Sequence, residues 1–281
     1  MAPPSRSRFG SVRSDLPDAR ALQARNASVA RRLLAGAGSA SFVAFRHDAH
    51  RDLDVLAHGL TDDGRLVVAT VEDVSHLPTD ESVEIRLDVR REATEARVRI
   101  LAATAHLLGR LDWVGADERA ELLATGALPE EVALVASAPT AALGVVRTDR
   151  VLLHDAGGVT PMPFSELVAD ENVSHLFPSS TQEVDAHEVF AEVPTHIVGE
   201  LFEAILDGSR PGWVMSSKPA SPGCSHSIGR VYCVDVDATG ATLMKVGAQE
   251  TTVVFTAFAE QAHDIASLGL RVAGLLPMTR D

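Results

Sequence analysis

The sequence predicts an α+β protein: an antiparallel split β-barrel with peripheral helices, followed by a C-terminal helix–β-meander–helix domain. Three observations lead there. "SVEIRLDVRR" alternates Val83, Ile85, Leu87 and Val89 with Glu84, Arg86, Asp88 and Arg90. That is a strand with one face on a core and one in water, which antiparallel sheets allow and parallel sheets buried on both faces do not. Strand-like runs also outnumber helical ones and are joined by short turns rather than crossover helices. Near the C terminus, "VYCVDVDATGATLMKVGAQETTVVFTAF" reads as three strands separated by the turns "DATG" and "VGAQE".

Taken in order, the chain turns helical from Ala19, with Leu22, Val29 and Leu33 on one face and Gly36 and Gly38 as the stop. "SASFVAFRH" and "DVLAHGL" are two short strands, "TDDGR" a tight reversal, and "RLVVATVE" the strand after it. "ARVRILAATAHLLGRLDWV" continues the sheet as one long strand or two, and "ADERAELLATG" is an amphipathic helix with a glycine stop. A hairpin turns at Thr148-Asp149, and a short helix runs from Pro163 to about Asp170. Further on, Val193, Ile197, Leu201 and Ile205 form an apolar stripe on a helix broken or started at Pro194. Residues 208–226 read as a loop rich in Pro, Ser and Gly. In the meander, Val234, Val236, Leu243, Val253 and Phe255 predict one face buried under helices and one open face. The last helix turns Ile265, Leu268, Val272 and Leu276 inward. The expected divisions are a disordered tail over 1–18, the split barrel over 19–170, a polar linker over 171–184 and the C-terminal α+β domain over 185–281.

Composition narrows the function classes. Hydrophobic residues make up 46% and charged residues 23% of 281 residues, the balance of a soluble globular protein. A net charge of −14 repels phosphate backbones and anionic lipids, so neither nucleic acid nor a membrane surface is an expected partner. Lys218 and Lys245 are the only lysines. Two cysteines, Cys224 and Cys233, make no disulfide framework, and a reduced cytoplasmic setting is the simpler expectation. The Arg- and Ser-rich N terminus resembles a transit peptide but has no apolar h-region.

Catalytic motifs are sparse. There is no G-x-S-x-G elbow, no Walker loop and no G-x-G-x-x-G. "CSHSIGRVYC" brings Cys224, His226 and Cys233 together without the second ligand pair that structural zinc uses, so Cys233 is expected to pack as a small hydrophobe. "HDAHRD" places His47 and His50 with Asp48 and Asp52 at a turn, where solvated polar side chains are the rule.

Two stretches carry a family resemblance. "FAEVPTHIVGELFEAI" and "VDVDATGATLMKVGAQETTVVFTAFAEQAHDIASL", in this element order, resemble the C-terminal domain of unknown function that follows the barrel in certain split-barrel proteins. Those are the proteins related to pyridoxamine-5′-phosphate oxidase, of the HugZ haem-utilisation type. The resemblance spans about residues 20–275. It implies a split barrel, a homodimer paired across the sheet, and either haem or flavin mononucleotide as cofactor. Haem needs an apolar slot, an axial ligand such as neutral imidazole, and cations for its propionates. With the ligand expected from the C-terminal part, the candidates are His196, His226 and His263, with Arg210 and Arg230 for the propionates. The expected function is therefore a haem- or tetrapyrrole-binding protein with weak haem-degrading activity as an extension. The alternatives are an FMN-dependent oxidoreductase and a non-catalytic relative without cofactor. Against flavin, "VATVEDVSHLPTDESVEIRLDV" is acidic where the family's phosphate cluster would lie, and carboxylates there oppose a phosphate.

Overall fold

A computed structural model describes residues 16–96, 98–169, 176–220 and 227–276. Helix α1 (Leu16–Leu34) comes first. Val29, Ala30, Leu33 and Leu34 are buried on one stripe and enter the first core, which is how an amphipathic helix gains most of its stability. Gly36 and Gly38 end it with φ of +110° and +86°, a conformation that costs glycine nothing.

Nine strands follow: β1 (Ser39–Val43), β2 (Leu53–Val55), β3 (Ala57–Leu60), β4 (Leu66–Thr70), β5 (Val83–Glu92), β6 (Leu101–Trp113), β7 (Ala142–Arg147), β8 (Arg150–Asp155) and β9 (Gly158–Pro163). Their order is β2-β1-β5-β6-β7-β4-β3, every pairing antiparallel. β2 and β3 are one bent strand around Leu56, whose N–H donates to the Ala69 carbonyl at 2.9 Å. The two ends of the path therefore meet, and the barrel is nearly closed. β6 pairs with β7 over Arg110–Trp113 and with β8 over Ala103–Leu107. The β7–β8 hairpin thus straddles β6, and β8 and β9 leave the barrel as a flap. Along β5 the inner half of the expected alternation holds, with Val83, Ile85, Leu87 and Val89 fully buried inside, while on the outer half Asp88 is buried rather than in water.

β4 is buried along its whole length. Helices α2 (Ala116–Thr125) and α3 (Glu130–Ala136) cover its outer face, packing Leu122, Val132 and Ala136 on Val67, Ala69 and Leu143. α2 ends on Gly126 at φ +68°, whose N–H caps Leu122 and Leu123 carbonyls. Gly126→Ala is expected to cost about 1 kcal/mol, read as a lower thermal midpoint. An unchanged midpoint would remove Gly126 from the stabilising caps.

The short helix α4 (Phe164–Val168) closes one end of the barrel, and a 3₁₀ turn (Ser180–Gln182) leads into α5 (Glu183–Ala191) and α6 (Thr195–Leu206). Then come β10 (Trp213–Pro219), β11 (Val231–Val236), β12 (Gly240–Val246), β13 (Glu250–Ala257) and α7 (Ile265–Leu275). The second sheet is antiparallel in the order β10-β13-β12-β11. One face packs under α5, α6 and α7, with Phe190, Phe202 and Leu268 on Cys233, Leu243 and Val254.

Three elements differ from expectation. Residues 208–226 contain β10, an edge strand whose Ser216, Ser217 and Lys218 conceal the strand pattern because one side meets water. α3 and β9 were not anticipated; β9 carries two prolines, Pro161 and Pro163, which an edge tolerates. The meander also has no open face. Tyr232 and Val234 pack on Ile100 and Ala102 at the start of β6. A bulge between Cys233 and Asp235 explains the misreading, because it interrupts the period of two on which the one-face assignment rested.

Candidate functional site

Buried charges fix where the second sheet meets the barrel. Arg25 and Arg32 lie two turns apart on α1 and both are buried. Arg32 donates to Asp235 at 2.6 Å, to Asp237 at 3.3 Å and to Glu183 at 3.2 Å. Arg91, at the end of β5, donates to the same Glu183 at 2.9 Å and to Asp235 at 2.8 Å. Arg25 pairs with Asp155 of β8 and donates to Thr242 Oγ1 at 3.3 Å. Burial alone would lower the Arg32 pKa and raise that of Asp235. The opposed charges prevail: Asp235 and Asp237 hold Arg32 above its usual value, and Arg32 and Arg91 hold Asp235 well below the carboxylate range.

Beside this network, α5 presents Val184, His187, Glu188 and Ala191 on one face, the i, i+3, i+4, i+7 stripe of a helix. That face lines a cleft of about 710 Å³. Thr94, Glu95 and Ala96, from the turn after β5, form one wall; Val193, Thr195 and Val198 from the α5–α6 corner form another. Arg230, Val231, Tyr232 and Cys233 at the start of β11 complete it. The volume lies within the range of about 300–1,000 Å³ typical of small-molecule sites. His187 is half-buried, and burial lowers its pKa below the ordinary 6.5; Arg91 adds to the effect while Glu95 and Glu188 oppose it. The imidazole is therefore neutral at pH 7 and carries a lone pair. Burial likewise pushes the Cys233 thiol up, so it is an inert packing residue.

Of the residues selected from sequence, Arg230 lines the cleft and is exposed there. His196 is exposed at the start of α6, next to the lining residue Thr195, and does not itself line the cleft. His263 is exposed just before α7. Arg210 is half-buried and donates to the Leu276 carbonyl at 3.2 Å, away from the cleft. Cys224 and His226 lie outside the described residues. Sequence reasoning missed His187, although its stripe with Val184 and Ala191 was available as the signal.

The same lining tests the cofactors. A haem-class ligand fits: the cleft offers an apolar wall, a neutral imidazole and an arginine at its rim. Arg230 shares the lining with Glu95 and Glu188, which oppose a flavin phosphate and a haem carboxylate alike away from the Arg230 end. A barrel groove of about 600 Å³ holds Arg65, Arg110 and Arg147. Arg65 is engaged by Asp63 and Arg147 by Asp112, and Glu84 shares the lining. Among the described residues, no three or more His, Cys, Asp or Glu side chains form a metal site. His47 and His50 are exposed at their turn, where the His50 N–H donates to Asp48 at 3.3 Å. No described helix is long and apolar enough to cross a membrane.

No protein-family model matches the sequence. No curated protein matches it either. Among solved structures, a haem-binding protein from Mycobacterium smegmatis is similar over 89% of this chain and 95% of its own, at 16% identity and a TM-score of 0.47. A protein of unknown function from Agrobacterium tumefaciens is similar over 89% of this chain and 94% of its own, at 16% identity and a TM-score of 0.36.

Proposed function

We propose that the chain binds a tetrapyrrole of the haem class in the cleft between α5 and β11, with His187 as the axial ligand. One observation carries the reading: a half-buried imidazole, kept neutral by its surroundings, lines a cleft of about 710 Å³ that has Val184, Phe190, Val193 and Val198 on its walls and an arginine at its edge. Bound haem would supply one-electron chemistry, with His187 as the residue that would hold its iron.

The chain's own groups have distinct tasks. His187 offers its lone pair at neutral pH. Val184, Phe190, Val193 and Val198 keep water from a flat apolar ring. Arg230 attracts a carboxylate at the rim, and Glu95 and Glu188 repel one, so the ligand's carboxylates are directed to the Arg230 end. Binding is the activity assigned to this arrangement.

Titrating haemin into the protein tests this reading. The expected result is a saturable shift of the Soret band that His187→Ala weakens tenfold or more and that His196→Ala and His263→Ala leave in place. Because the His187 pKa is depressed, ligation persists as the pH is lowered to 6.5 and is lost at lower pH. Absence of any saturable shift, or a shift indifferent to His187→Ala, would overturn the assignment.

A further inference from the structure

Outside the cleft, two histidines touch each other on the barrel. On the outer face of the barrel sheet, His106 of β6 and His154 of β8 are diagonal neighbours, because Thr104 pairs with His154 and His106 with Leu152. Their ring centroids are 4.6 Å apart and their planes cross at 83°. His106 Nδ1 lies 2.6 Å from Asp88 Oδ1. An ionised carboxylate only accepts, so Nδ1 carries the proton and Nε2 the lone pair. Asp88 is buried and is itself held by Arg86 Nε at 3.1 Å. This is the arrangement in which a carboxylate orients a ligating imidazole. The His154 ring makes no hydrogen bond among the described residues, and both rings are partly exposed, so solvent and ions reach them.

We propose that His106 and His154 form a two-imidazole site for a divalent transition-metal cation, copper(II) above nickel(II), with Asp88 as the orienting group. The two rings touch, with centroids 4.6 Å apart, so one ion can be reached by both imidazoles. Imidazole and water ligands suit copper(II), which stands above nickel(II) and zinc(II) in the general affinity order of divalent metals. Water fills the remaining positions, since no third protein ligand is present among the described residues. Arg86, and Arg90 at 4.0 Å from Asp88, put positive charge on the same face. Asp88 therefore neutralises them as well as orienting His106, and the site depends on it twice.

Calorimetric titration of the purified chain with copper(II), and separately with nickel(II), tests the site. The expected wild-type isotherm has one site per chain at least tenfold tighter than any other. His106→Gln and His154→Gln, both at partly exposed positions, are each expected to weaken that site tenfold or more. Asp88→Asn, which keeps both imidazoles, weakens it 10- to 100-fold. Far-UV circular dichroism and thermal melting confirm that each variant is folded, and the copper(II) electron paramagnetic resonance spectrum of the wild type is expected to show coupling to two nitrogens. If the His106→Gln/His154→Gln double variant is folded and gives the wild-type isotherm, or if the spectrum shows no nitrogen coupling, the site does not exist.

Discussion

Arg32→Met is expected to destabilise the protein by about 3–5 kcal/mol, the cost of leaving buried carboxylates without their counter-charge. The Arg32 side chain is 1% exposed and serves Asp235, Asp237 and Glu183 together. Methionine fills similar space, so loss of charge rather than loss of volume dominates. The second substitution separates the two: Arg32→Met with Asp235→Leu and Asp237→Asn removes both signs and is expected to regain a large part of the loss. Stability follows pH in a defined direction. Asp235 has its folded pKa held below the unfolded value of about 3.9. Its contribution is therefore fully present above that pH and is lost as pH falls through the lower folded value. Asp235→Asn should flatten that acid limb. Denaturant unfolding at pH 7 that shows Arg32→Met within 1 kcal/mol of the wild type would remove the network from the account of how α1, β5 and the second sheet are joined.

Gly38→Ala is the second large effect, expected at about 3 kcal/mol from left-handed backbone strain added to overpacking. At φ +86°, an added Cβ overlaps the Arg90 carbonyl oxygen, with the Arg90 carbonyl carbon at 2.9 Å and the Arg91 Cα at 3.1 Å. These are backbone atoms, so no rotamer change relieves the clash. Yielding would move β5 at the residue that holds Glu183 and Asp235. Gly199→Ala is the control: it lies within α6 with nothing within 4 Å of the new Cβ, and is expected to stabilise the chain by about 0.5–1 kcal/mol. Equal melting curves for the two variants would contradict the argument from packing.

Much of the architecture was legible because it rests on local patterns. The alternation of Val83 to Val89 predicts β5 with its inner face, and the Thr148-Asp149 turn predicts the β7–β8 hairpin. What stayed hidden depends on contacts distant in sequence. Arg32 and Asp235 are 203 residues apart, so nothing local shows that they pair. The only trace is two aspartates at i and i+2, Asp235 in an otherwise apolar strand and Asp237 just after it, and two arginines two turns apart on α1. The site was legible only in part for the same reason. Arg230 was selected for its charge near the meander, whereas His187 belongs to the largely exposed Val184–Ala191 stripe of α5, which becomes one wall of a cleft only beside Thr94–Ala96 and β11.

The most direct measurement is imidazole rescue of His187→Ala, followed at the Soret band of the haemin complex. The variant is expected to lose the wild-type spectrum and to regain it when millimolar imidazole occupies the space of the deleted side chain. A variant that keeps the wild-type spectrum without imidazole would contradict the assignment.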